Sequence, residues 1–166
     1  VIETCNLPTG GSYTYSLAPQ VRDNGGTKDV PFDAGDLTDR RQAPTAGDVA
    51  SKKSNEAAWY VRWKKTDPFT IDFDLTADYP VDKVKLWYAR TAPGVTVLLS
   101  QDGKQWTEAA EVTNAEQPER LHNVLDLTID FEATPARFVR LAIGGRAKGE
   151  LLDLVEVEIW SPSAGE

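Results

Sequence analysis

The chain has no methionine, one cysteine and one histidine in 166 residues, and each shortage closes off chemistry. A single thiol, Cys5, cannot close an internal disulfide or build a multi-thiolate metal site. His122 is the only imidazole, and no motif pairs it with the distant Cys5 as base and nucleophile. A lone histidine just before a strand is ordinarily a surface or packing residue. Glycine-rich phosphate loops and nucleophile-elbow sequences are absent. No apolar run approaches the ~20 residues that span a bilayer, so no membrane insertion is expected. Positive charge is also short: 18 Lys and Arg against 26 Asp and Glu leave a net charge of −8. Such a surface repels phosphates, which argues against nucleic acid as a partner. The chain opens Val1-Ile2-Glu3, without a basic and apolar leader, which is expected of a processed piece of a longer protein.

Helical spacing is missing too, and two-residue alternation takes its place. Residues 69–75 read Phe-Thr-Ile-Asp-Phe-Asp-Leu, apolar at odd positions and polar at even ones. That pattern buries one face of a strand and wets the other. Residues 125–131 and 155–160 repeat it, and 59–63, 81–88, 95–99 and 138–143 add further strands. Turn signals separate them: Ala92-Pro93-Gly94, Asp102-Gly103, Gln117-Pro118, Thr134-Pro135 and Gly144-Gly145. Asp102-Gly103 predicts a tight hairpin with a primed turn. Short strands at this spacing predict an all-β fold, a sandwich or barrel forming one domain. Residues 17–57 stand apart, poor in large apolar residues and too long for an ordinary connection. They are expected to form a long polar loop.

Paired carboxylates are plentiful, among them Asp72 with Asp74 and Glu156 with Glu158, but alternating acids on a wet strand face follow from binary patterning alone. No catalytic set rises above that background, so the chain is expected not to be an enzyme. The five tryptophans say more. Trp59 and Trp63 share parity with Val61, so at least one is expected in the core. Trp106 is placed as a plug beside the Asp-Gly turn. Trp87 and Trp160 fall on the polar parity of their strands, where a large ring is either covered by a loop or offered as a stacking platform.

Taken in order, several segments resemble the galactose-binding-like jelly rolls that include discoidin, or coagulation factor five/eight type C, domains and many bacterial carbohydrate-binding modules. The most specific is Val95-Thr-Val-Leu-Leu-Ser-Gln-Asp-Gly-Lys-Gln-Trp106, similar to the family's "v-x-v-x-x-S-x-D-G-x-x-W". Leu37-Thr38-Asp39 resembles its early loop motif, Ala136-Arg137-Phe138-Val139-Arg140-Leu141 its "a-R-y-V-R-l" strand, and Glu156-Val157-Glu158-Ile159-Trp160 its closing strand. The resemblance covers about residues 6–161 and implies a two-sheet antiparallel β-sandwich, a jelly roll, whose loops at one end bind a ligand. It also implies a structural calcium ion, held by Asp39 of the early loop, by Glu156 and, more weakly, by Thr45; a hard cation wants several such oxygens. Arg40 departs from the pattern, because the family commonly has Gly there.

The function so implied is a non-catalytic carbohydrate-binding module, monomeric within a longer chain, in a secreted or cell-surface bacterial protein acting on glycans. Sugar contacts in this family come from variable loops, so candidates are taken from chemistry: Arg22, Asp23 and Asn24 in the early loop, Trp87 as a ring platform, and Arg90 and Arg146 at strand ends. The arginines would also suit an acidic sugar. A protein-interaction or adhesion module and a structural spacer are the alternatives on the same scaffold.

Overall fold

The computed structural model describes residues 13–19, 21–24, 27–31, 37, 61–119 and 123–162, with 21–24 and 27–31 as backbone alone. Its elements are strands: β1 (Tyr13–Tyr15), β2 (Val21–Asn24), β3 (Thr27–Pro31), β4 (Val61–Trp63), β5 (Phe69–Ala89), β6 (Val95–Ser100), β7 (Thr107–Val112), β8 (Val124–Ile143) and β9 (Leu152–Trp160). The alternation sets their faces. Phe69, Ile71, Phe73 and Leu75 are buried, while Thr70, Asp72 and Asp74 between them are half-buried.

The two long strands build both layers. The first half of β5 pairs with β1 and with the end of β8, and its second half pairs with β9 and with the start of β8. One layer therefore runs β1-β5-β8-β6-β7 and the other β4-β9-β5-β8, all pairs antiparallel. Both strands switch layers at a shared corner, where the register slips between Asp74 and Tyr79 and Pro80 lies opposite Pro135. Neither proline can donate to the ladder, so the pairing is weakest where the strands must bend. Thr76 takes a φ of 70° there, and its N–H donates to Asp74 Oδ1 at 2.8 Å.

A single cluster of buried side chains fills the space between the layers. Trp63 is fully buried, stacked on Phe69 at 4.6 Å between centroids, with Tyr15 edge-on at 6.0 Å. Its indole N–H donates to the Leu17 carbonyl at 2.8 Å, so the ring is buried with its polar atom satisfied. Trp63 meets the expectation of a core tryptophan; Trp59 lies outside the described residues.

Three sequence expectations change. Residues 69–75 and 81–88 are one strand, as are 125–131 and 138–143, because Thr134-Pro135 bends a strand where a reversal was expected. Asp102-Gly103 is not a two-residue turn: β6 ends at Ser100 and β7 begins at Thr107, and of the two residues only Gly103 has a positive φ, 74°. Asp102 Oδ1 instead organises a longer loop, accepting from the N–H groups of Lys104 and Gln105 and from Ser100 Oγ. Lastly, the 17–57 stretch is not all loop, since β2 and β3 pair as a separate hairpin and Leu37 is fully buried.

The corner decides where the loops gather. Phe69 pairs with Ile143 and Ile143 with Val95 at one end of the first layer; Ala89 pairs with Val124 and Asp153 at one end of the second. The short 90–94 link joins Ala89 to Val95, so these ends coincide. Loops 64–68, 90–94 and 144–151 open there, as do residues 113–119 after β7. The strand corners, the 101–106 loop and Trp160 lie at the other end.

Candidate ligand-binding end

Loops that meet at one end of a rigid sandwich are the usual place for a binding site. Here they are tied to one another. Gly144 N–H donates to the Gly94 carbonyl and Arg146 N–H to the Thr66 carbonyl, both at 2.9 Å. Gln117 clamps the 90–94 link from the side: its Nε2 donates to the Arg90 carbonyl at 2.9 Å, and its Oε1 accepts from Ala92 N–H at 3.0 Å. The buried Tyr88 hydroxyl donates to the Glu116 carbonyl, holding the same loop; its burial raises the phenol pKa above the ordinary value.

Arg90 sits at the centre of this lattice. Thr91 N–H donates back to the Ala89 carbonyl at 2.9 Å, and Arg90 between them has a φ of 72°, a γ-turn that a non-glycine residue adopts only under constraint. Its guanidinium is constrained as well. Arg90 Nε donates to Asp153 Oδ2 at 3.0 Å, and the same carboxylate takes a bidentate grip from Arg62, Nε to Oδ1 at 2.6 Å and Nη2 to Oδ2 at 2.8 Å. Asp153 is 0% exposed. The two Nη groups of Arg90 have no acceptor among the described residues, so the turn and the buried aspartate together present a fixed fork of donors.

Arg146 does different work. Its Nη2 donates to the carbonyls of Lys65 and Trp63, and its Nε reaches the Glu150 carbonyl at 3.5 Å. The guanidinium lies 5.9 Å from the centroid of Phe69, and burial pulls its pKa below the usual arginine value. It closes the 144–151 loop onto the 64–68 loop.

Trp87 lies on the outer face of the β4-β9-β5-β8 layer, opposite Glu156 and Asp126, with Lys85 Nζ 4.8 Å from its ring centroid. Trp160 shares that face, with Lys83 at 5.4 Å and its indole N–H on Glu158 Oε2 at 2.9 Å. Glu156 beside them is 1% exposed, so it is not the solvated strand acid that alternation alone suggests. Arg22, Asp23 and Asn24 fall on β2, not in a loop. Asp39, Thr45, Arg40, His122 and Cys5 lie outside the described residues. Trp87 thus lies on the sheet face, whereas Arg90 and Arg146 lie in two tied loops of the same end. Sequence reasoning missed Asp153, Arg62 and Gln117. The available signal was Asp153 itself, a lone charge in the apolar run Leu151-Leu152-Asp153-Leu154-Val155, since a carboxylate there is buried only if paired. Among the described residues no cluster of three or more metal-ligating side chains occurs.

A two-layer antiparallel jelly roll with interlocked loops at one end is the architecture of the galactose-binding-like carbohydrate-binding modules. The chain belongs to the F5/8 type C domain family, whose model matches residues 36–156. Solved structures agree in fold. A chitosan-binding module from a chitosanase/glucanase of Paenibacillus sp. IK-5, in a selenomethionine-labelled mutant form, superposes with a TM-score of 0.61 at 23% identity, over 94% of this chain and 98% of its own. A fucose-binding module of Streptococcus pneumoniae gives 0.61 at 18% identity, over 95% and 96%. A carbohydrate-binding module of Clostridium perfringens, in complex with GalNAc-β-1,3-galactose, gives 0.58 at 17% identity, over 93% and 99%. No curated protein sequence matches the chain.

Proposed function

We propose that this domain is a non-catalytic module that binds a glycan at its loop-bearing end, as part of a larger secreted or cell-surface bacterial protein that acts on glycans. Arg90 carries the reading. A strained γ-turn and a buried Asp153 hold it with its Nη donors unspent among the described residues, and strain of this kind collects at ligand sites. A pre-oriented donor fork suits hydroxyl oxygens at little entropic cost. The domain would then raise its parent's local concentration on the glycan by tethering.

The charge distribution narrows the ligand. Arg62 and Arg90 already face Asp153, Arg137 faces Asp74, Arg140 faces Asp72, and the chain carries a net −8. Arg62 and Arg90 share one carboxylate, so the loop end keeps one positive charge, and neutral sugars or the acidic sugar that the arginines first suggested fit it better than a cationic, amine-bearing one. The test is binding to an array of neutral, acidic and amine-bearing glycans, repeated with Arg90→Ala. Hits on neutral or acidic glycans that fade in the variant at unchanged fold support the reading; capture of a protein partner with no glycan hit favours an adhesion module instead.

Calcium belongs to the same proposal. A carboxylate as buried as Glu156 needs a compensating charge or donors, and a hard cation shared with Asp39 and Thr45 would add to them. The ion's role would be to fasten the early segment to β9. A chelator is expected to lower the melting temperature of the wild type and leave Glu156→Gln unmoved; a chelator-insensitive wild type removes the ion from the account.

A further inference from the structure

The outer face of the β1-β5-β8-β6-β7 layer carries a second cleft, about 230 Å³ in volume, at the end away from the loops. Alternation builds its floor: Asp72 and Asp74 point outward from β5, with Thr14 of β1 beside Asp72 and Phe138 of β8 beside Asp74. The 101–106 loop makes the wall, folding Trp106 and Gly103 over the sheet. Gly103 needs its glycine for a φ of 74°, and a Cβ there would rest against the Phe138 ring at 3.4 Å, an ordinary contact.

Every part of this cleft is held in place by the fold. Asp72 takes a bidentate grip from Arg140 at 2.7 and 2.8 Å, and Asp74 one from Arg137 at 3.0 and 3.1 Å. The Arg140 guanidinium also stacks 4.1 Å from the Trp106 centroid, fixing the ring from beneath. What remains unspent is particular. Both oxygens of Asp72 and Oδ2 of Asp74 keep a further lone pair, while Asp74 Oδ1 spends its second on the Thr76 N–H. The half-buried Trp106 has no acceptor for its indole N–H, and the Thr14 hydroxyl no partner, among the described residues.

An aromatic face beside fixed acceptors and a single fixed donor matches a pyranose ring, whose axial C–H face is apolar and whose hydroxyls both donate and accept. The volume falls below the ~300–1,000 Å³ of a drug-sized site, as suits one sugar unit. The two acids, each matched by one arginine, give the cleft no net positive charge for an acidic sugar to seek. We propose that this cleft is a second saccharide subsite, taking one neutral or amine-bearing pyranose ring. This rests on the reading of the domain as a glycan binder. Because the two sites occupy opposite ends, one domain would grip two stretches of glycan, and the gain would be avidity on a polymer over its short fragments.

The test is amide chemical-shift mapping of the labelled domain titrated with two probes, a β-1,4-linked glucose hexamer and a β-1,4-linked glucosamine hexamer. The proposal expects at least one probe to shift amides at 72–74, 103–106 and 138 in addition to those at 90–94 and 113–119. Trp106→Ala should weaken the first set at least 10-fold and spare the second, with Arg90→Ala doing the reverse. Should Trp106→Ala fail to fold, Trp106→Phe keeps an aromatic face while deleting the indole donor with the pyrrole half of the ring, and a several-fold loss confined to the first set is expected. Shifts confined to the loop end would overturn the second subsite while leaving the proposed function standing. No shift anywhere with either probe would overturn both.

Discussion

Replacing Asp153 with alanine should unfasten the loop end from within. The carboxylate is 0% exposed and accepts three hydrogen bonds from two guanidiniums, whose side chains are only 15% and 17% exposed. Deleting one partner of a buried ion pair costs about 3–5 kcal/mol, because the remaining charge is left desolvated. Here two cations are left facing each other, yet each keeps some contact with water, which places the loss near the lower limit of about 3 kcal/mol. For a domain of this size 1 kcal/mol moves the melting temperature by about 2–4 °C, so a fall of roughly 6–12 °C is expected. Asp153→Asn keeps the shape and a single acceptor and should lose about half as much. Differential scanning calorimetry reads both, and a double-mutant cycle with Arg90→Ala separates the pair from its surroundings. If Asp153→Ala lowers the melting temperature by less than ~3 °C, or the cycle gives no coupling, the buried carboxylate is not what holds Arg90.

Three further outcomes follow from the same geometry. Trp63→Ala should destabilise by about 3–5 kcal/mol in urea unfolding, and Trp63→Phe by about 1–2 kcal/mol, since the latter mainly strands the Leu17 carbonyl. Gly103→Ala should cost about 1–2 kcal/mol for its left-handed backbone, with the Phe138 resonances shifted; an unchanged melting curve would speak against the loop geometry. The Arg137 guanidinium beside Asp74 holds that carboxyl below the usual carboxylate range. Its stabilising effect is therefore complete above the unfolded value of about 3.9 and is lost as pH falls through the lower folded value. The melting-temperature gap between wild type and Arg137→Ala should accordingly be constant above about pH 5 and close below it.

Alternation made most of the sandwich legible, because a period of two reports directly which residues face the core. It could not report the corner. Thr134-Pro135 carries the same turn chemistry as a reversal, and only Pro80 across the ladder from it makes the site a bend in two paired strands. Asp102-Gly103 misled in a similar way, since Asp-Gly suits a primed turn, but the Asp102 side chain found three local donors and a longer loop won. For the binding end, Arg90 and Arg146 were visible as arginines at strand ends, but their surroundings were not. Asp153 lies 63 residues from Arg90 in sequence, and only the β5-β9 pairing brings them together. The outer faces were read as solvated, and there the ion pairs of Asp72 and Asp74 and the burial of Glu156 depend on neighbours from other strands.

The central claim is that a fixed arginine on an interlocked loop end binds a sugar. Isothermal titration with the strongest glycan from the array, run on wild type and on Arg90→Ala with unfolding curves measured in parallel, tests it most directly. Saturable binding at neutral pH is expected to weaken at least 10-fold in the variant, in excess of any effect of lost stability. Equal affinity in the two proteins, with both fully folded, would contradict it.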